Sequence, residues 1–297
     1  MRALAIVVWL VCAAPALGQE LEPRSYSPAP VGTTFVIAGV GGSEGPLLFD
    51  PSVPVHDVRA ELTIATFAFG YTFGLAGRQA RILAVAPVAS GHISGEVGGH
   101  PERFPMNGLV DPRIKLSVGL LGAPALGLTE FAHAPRGTVI GASVTVMPPL
   151  GAYDEQSVVN LGYNRWAFKP EIGVSRPLGR WTLEGYVGAW LFTTNDHYFP
   201  GNARKSQAPI LSLQGHVGYA LTRRSWLAFN ATWFEGGETR IERMVSPDEQ
   251  RNLRLGATLS IPAGASNSVK VVYNTGATTR RGTDFDTLTL QWQRVWF

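Results

Sequence analysis

From about residue 31 to its last residue the chain is written in alternation. In "RWTLEGYVGAWLFTT" one face carries Trp181, Leu183, Val187, Ala189 and Leu191, while the other carries Thr182, Glu184, Tyr186 and Trp190. "ILSLQGHVGYAL" sets Leu211, Leu213, Val217, Tyr219 and Leu221 against Ser212, Gln214 and His216, and "NLRLGATLSI" repeats the split. Successive side chains leave opposite faces of a strand, so a period of two predicts strands with one apolar and one polar face. Such segments begin near Val31, Val58, Ala80, Leu109, Gly137, Asn164, Trp181, Pro209, Ser225, Arg251, Val269 and Phe285. Beyond the first residues no apolar run reaches the roughly 18 residues of a membrane-spanning helix, and the longest, 116–128, is broken by Pro124.

Two-faced strands pair either as a sandwich with the apolar faces inward or as a barrel with those faces turned to lipid. The connections favour the barrel. Short turns at 75–79, 177–180, 222–225 and 262–268 alternate with longer polar or Gly/Pro-rich segments at 40–57, 94–107, 148–163, 196–208 and 236–251. That is the rhythm of short periplasmic turns and long outer loops. The segment 121–137 breaks it, and either a brief interfacial helix or a folded loop would account for it. The run "DFDTLTLQWQRVWF" carries an apolar strand to the last residue, where an unpaired edge would invite aggregation. Pairing with the first strand removes that edge, so the expected fold is all-β, a transmembrane antiparallel up-and-down barrel of about twelve strands. Trp296 follows the apolar register of Leu288, Leu290 and Trp292 whereas Phe297 does not, leaving either Trp296 as the aromatic anchor or a bulge near the end.

Composition agrees. The chain of 297 residues is 45% hydrophobic but only 16% charged, against about 25% in ordinary globular domains, and holds 34 Gly and 8 Trp. Its 25 Lys+Arg against 22 Asp+Glu are dispersed, which gives no basis for nucleic-acid binding. Arg2, the apolar run 3–14 and the small residues of Ala16-Leu17-Gly18 read as an export leader cleaved after Gly18, dividing the chain into a signal peptide, 1–18, and a barrel domain, 19–297. The single cysteine, Cys12, lies in that leader, so the mature chain is expected to hold neither disulfide nor thiolate metal site. Zinc, phosphate-loop and nucleophile-elbow motifs are missing and the histidines are scattered, so no cofactor, metal or enzyme activity is expected. Asp196, Asp284 and Asp286 read as solvated loop carboxylates rather than cation ligands.

If the apolar faces meet lipid, the opposite faces line the lumen. Parity assigns to it Arg59, Glu61, Arg113, Lys115, Lys169, Glu171, Glu184, Tyr186, Trp190, His216, Arg254 and Lys270 as the candidate solute path. Charges of both signs point inward, either as selectivity elements of a conduit or as pairs that plug a narrow barrel. Trp166, Trp181, Trp226, Trp233, Trp292 and Trp296 read as an interfacial girdle. The dozen residues between the leader and Val31 are too few for a plug domain, which makes 40–57 and 94–107 the preferred gate loops. Pro87 and Pro170, inside strand-like runs, mark interrupted ladders and the places to look for sideways exit through the wall.

The stretches "LEPRSYSPAPVGTTF", "DPRIKLSVGLLGAPAL" from Asp111, "TTNDHYFPGN" from Thr193 and "GTDFDTLTLQWQRVW" from Gly282 resemble the bacterial outer-membrane transporter family of the MetA pathway of phenol degradation. The resemblance covers nearly the whole mature chain. It implies passive movement of small hydrophobic or aromatic compounds, with membrane lipid, such a solute and the outer-membrane barrel assembly machinery as partners. The alternative is a plugged structural or surface-interaction barrel without transport.

Overall fold

The computed structural model describes residues 22–48, 55–97, 99–157, 159–199 and 201–297; the expected leader lies outside them. A closed antiparallel barrel of twelve strands is formed by β1 (Thr34–Leu48), β2 (Val55–Leu75), β3 (Arg78–Val97), the collinear β4 (His100–Leu109) and β5 (Arg113–Leu121), β6 (Val139–Met147), β7 (Ala167–Leu178), β8 (Trp181–Phe192), β11 (Ile210–Ala220), β12 (Trp226–Gly236), β15 (Gln250–Pro262), β16 (Asn267–Thr278) and β18 (Asp286–Trp296). The seam closes as the alternation requires. β1 pairs with β18 from Thr34↔Trp296 to Glu44↔Asp286, so neither terminal strand is left with an open edge.

The outward face is a continuous apolar belt, with Phe67, Phe69, Ile172, Leu183, Phe229, Leu288 and Leu290 all exposed. Trp166, Trp181, Trp292 and Trp296 stand on the same face, and the Arg294 guanidinium lies 5.2 Å from the Trp296 ring. Trp296 is therefore the outward aromatic of the last strand. No bulge intervenes, and Phe297 turns to the periplasmic mouth of the lumen.

The wall is uneven in height. β2 has 21 residues, roughly 70 Å of strand, whereas about 9–11 tilted residues span a bilayer. β1 to β4 therefore rise well beyond the membrane. Two outer loops fold into a separate small sheet of β9 (Asn195–Tyr198), β10 (Ala203–Gln207), β13 (Thr239–Ile241) and β14 (Met244–Val245). β17 (Gly282–Thr283) pairs with the top of β1. The long connection 122–138 holds a six-residue helix, α1 (Leu128–His133), and bonds to the β2–β3 turn through Gln79 N–H to the Ala123 carbonyl.

Both prolines sit where the ladder lapses. At Pro87 and Val88 β3 exchanges β5 for β4 as its partner, and at Lys169 and Pro170 the register to β8 is interrupted.

Candidate functional site: the barrel interior

The interior is occupied from both ends, and not by the segments expected. Residues 94–107 form the β3–β4 hairpin, while 40–57, as far as described, continue β1 and β2. Neither folds inward. The occluding elements are residues 22–33, which enter from the periplasmic side, and the outer loop 148–166. The short N-terminal stretch needs no domain of its own because it borrows partners from the wall.

Tyr26 is its anchor. The ring occupies space left by two inward-facing glycines. A Cβ on Gly141 would lie 2.4 Å from the ring and one on Gly173 would lie 2.2 Å away, so any side chain there would displace it. Its hydroxyl lies 2.9 Å from Ser143 Oγ and donates to Glu171 Oε1 at 3.0 Å, and its ring meets Tyr186 edge-on at 5.0 Å. Burial, reinforced by the Glu171 carboxylate, pushes the phenol far above its ordinary value, so it stays neutral. Arg24, at a left-handed φ of 68°, donates its backbone N–H to Glu184 Oε2 at 2.6 Å and lays its guanidinium 4.6 Å from the centre of Trp226. Arg81 reaches the carbonyls of Ser25 and Ser27, and Gln79 accepts the Ala29 N–H.

Glu171 is the hub. Oε1 accepts Lys115 at 3.2 Å besides Tyr26, and Oε2 accepts Lys169 at 2.7 Å and Gln214 at 3.0 Å. An ionised carboxylate this deeply buried is tolerated because two ammonium groups and two neutral donors surround it. His216 Nδ1 lies 2.8 Å from Asn230 Oδ1, whose amide nitrogen donates to Thr258. That amide orientation makes Nδ1 the protonated nitrogen. Ser212 lies four residues along the same strand, roughly 13 Å away, which separates it from His216 as a nucleophile from its base.

The extracellular half is built differently. Leu47, Val58, Ala60, Leu62, Ile93, Met106, Val110 and Phe285 point inward and pack with Leu161 of the loop 148–166. A second apolar group, Met147, Ala167, Trp190 and Ile210, fills the opposite side. Asp111, between β4 and β5, fastens the loop by accepting Gly151 and Tyr163 N–H groups, each at 2.7 Å. Arg165 stacks on Phe192 at 4.5 Å and bonds to Gln207, and burial brings its guanidinium down to about 10.

Ten of the twelve parity-assigned residues face inward: Arg113, Lys115, Lys169, Glu171, Glu184, Tyr186, Trp190, His216, Arg254 and Lys270. Arg59 and Glu61 do not. They stand on the outer surface of β2, where Glu61 lies 3.7 Å from His92, because above the bilayer the polarity of the two faces inverts: water is outside and the packed apolar cluster inside. Trp226 leaves the girdle for the lumen, on the parity of Ala228 and Asn230. The alternation alone did not reveal Tyr26, Arg24, Arg81 or Asp111. Glycines on the lumen parity of β6 and β7 were the available sign that something enters there. Asp196 pairs with Arg204 and Asp286 accepts the Tyr273 hydroxyl, and no metal-binding cluster occurs among the described residues.

Between the segment 22–33 and the wall of β1–β3, β15, β16 and β18 lies a chamber of about 790 Å3. Phe35, Ile37, Leu83 and Val85 form one stretch of its wall, Lys270, Asn274, Gln291 and Gln293 the adjoining stretch, and residues 23–25 and 28–30 line it as well. It opens past Phe131 and Phe297.

The architecture and its lipid-facing belt define an outer-membrane β-barrel. The chain belongs to the family described as "Putative MetA-pathway of phenol degradation", whose pattern matches residues 50–292. It superposes on the COG4313 outer membrane channel from Pseudomonas putida F1 with a TM-score of 0.75 at 19% identity, covering 93% of this chain and 100% of the other. The β domain of the Bordetella autotransporter BrkA matches with a TM-score of 0.50 at 10% identity, over 89% and 99% of the two chains. No curated protein sequence matches it.

Proposed function

We propose that this barrel is a passive channel for small apolar or aromatic solutes, and that the lumen-facing residues above border their path. The chamber carries this reading: about 790 Å3 suits one small organic molecule, and an aromatic-aliphatic wall adjoins a hydrogen-bonding one. With the leader removed after Gly18, the segment 22–33 is tethered only through β1, so it can withdraw while the barrel stays closed. Family membership supports the same solute class, as does the name of the P. putida relative, a channel. In this reading residues 1–18 direct export, and the outward aromatics of β18 suit recognition by the barrel assembly machinery.

The test is uptake. Deleting the gene should lower the initial rate of entry of a panel of aromatic compounds, and wild-type protein in liposomes should restore their flux. Unchanged uptake of every compound would remove the proposal. A second reading, a sealed barrel that presents the β9–β10–β13–β14 sheet to a surface partner, is favoured by the filled interior. It predicts folded protein that gives neither flux nor conductance.

A further inference from the structure

The chamber is polarised. Phe35 and Ile37 on β1 and Leu83 and Val85 on β3 make its apolar side. The adjoining wall is β18, β16 and β15, where Lys270 lies level with Ser260 and Gln291 and Asn274 stands two inward positions further along β16. Gly39 and Gly41 lie directly opposite Gln291 and Thr289, whose side chains lean into the space that side chains at the glycines would fill. The polar side is thereby drawn toward the apolar one.

Two groups on the polar wall make no hydrogen bond or close ion pair among the described residues. Asn274 is 1% exposed, yet neither its amide nitrogen nor its oxygen makes a hydrogen bond. Leaving a buried amide in that condition is unfavourable, so it points to something polar that fills the chamber. Lys270 enters none of the ion pairs among the described residues, in contrast to Lys115 and Lys169, which share Glu171. The groups that act on its amine are the cations Arg24 and Arg81 and a single acid, Glu22, which is exposed. Arg81 also lines the chamber and has no partner for Nε. The chamber therefore carries excess positive charge and an unsatisfied amide next to an aromatic-aliphatic surface.

We propose that this chamber binds an amphipathic organic monoanion, a carboxylate on an aryl or alkyl body. The carboxylate accepts from Lys270 Nζ, and the body lies against Phe35, Ile37, Leu83 and Val85. The inference rests on the reading of the barrel as a solute channel, since it names the class of solute held inside. A neutral hydrocarbon would leave Lys270 unanswered, and a small inorganic anion would leave the apolar wall uncovered.

The experiment compares 4-phenylbutyrate with its neutral isostere 4-phenylbutanamide. Binding to the mature protein in bilayer nanodiscs is measured by calorimetry, with empty nanodiscs subtracted. The carboxylate should bind at least tenfold more tightly than the amide. Lys270→Gln should reduce that preference below about twofold, whereas Lys270→Arg should keep most of it. Each variant is shown to be folded by its shift in gel mobility on heating. Equal binding of the two probes, no saturable binding of the carboxylate, or a preference that survives Lys270→Gln in folded protein would overturn the assignment. Liposome flux separates this from the transport reading. Lys270-dependent binding without flux keeps the site and removes the channel; flux of neutral aromatics without carboxylate preference does the reverse.

Discussion

The two halves of the lumen are closed by opposite physics. On the periplasmic side a single length of backbone, 22–33, is held by the Tyr26 ring in its glycine seat and by hydrogen bonds centred on Glu171, and a chamber remains beside it. On the extracellular side a loop anchored at both ends buries Leu161 among side chains from β1 to β4, and Asp111 fastens its backbone. Hydrogen bonds exchanged with water cost little to replace one at a time, so the first arrangement can open. Apolar packing cannot be exchanged in that way. On the proposed channel reading the periplasmic segment is the element that moves and the outer loop the one that stays.

The largest effect should come from Glu171→Ala. It strips two buried ammonium groups of their counter-charge and removes the acceptor of Tyr26, which for a buried network costs about 3–5 kcal/mol. Denaturant unfolding followed by heat-dependent gel mobility would show it, and a loss below about 1 kcal/mol would mean that the hub is solvated. Leu161→Ala should cost about 2–3 kcal/mol through the cavity it leaves. If the halves are independent, it should leave the periplasmic segment docked. Labelling of a cysteine introduced at Ser25 reads this directly, because the only native cysteine, Cys12, falls within the expected leader. Faster labelling in Leu161→Ala would mean that the two closures move together.

Gly173→Ala tests the docking without touching a polar group. Its methyl would lie 2.2 Å from the Tyr26 ring and 2.6 Å from that of Tyr186 on β8, so the Tyr26 seat is lost and the Tyr186 ring must turn aside. The segment should undock, raising the labelling rate at Ser25→Cys by tenfold or more and increasing conductance. Tyr26→Phe keeps the ring and removes the hydroxyl bonds, a smaller loss of about 1 kcal/mol. That is worth roughly fivefold in labelling. Finding the two variants in the reverse order would show that the hydroxyl, not the shape of the seat, holds the segment.

Within the membrane, period-two patterning made the strand count, the seam and the facing of residues such as Lys169, Glu184 and His216 legible, because lipid and lumen impose one rule on every strand. What enters the lumen was not legible. Residues 22–33 have no periodicity, and their partners are single side chains on four or more separate strands, so no local pattern records the match. The loop 148–166 was visible as a loop, but its inward course depends on Leu161 meeting residues from β1 to β4.

Arg59 and Glu61 show where the rule changes, and they give the finest test. On β2 the parity that carries Phe67, Phe69 and Tyr71 into lipid also carries Arg59 and Glu61, while Val58, Ala60 and Leu62 turn inward. A barrel that ended at the membrane would reverse this assignment. Because β2 rises beyond it, the charges meet water and the aliphatic residues meet Leu47 and Ile93. The Glu61 side chain is 66% exposed at 3.7 Å from His92, so Glu61→Gln should change stability by less than about 0.5 kcal/mol and leave single-channel conductance and ion selectivity unaltered. Lys169→Gln, on the lumen side of the same barrel, should alter both stability and selectivity. A selectivity change from Glu61→Gln comparable to that from Lys169→Gln would place Glu61 beside the conducting path and restore lumen parity to the whole of β2.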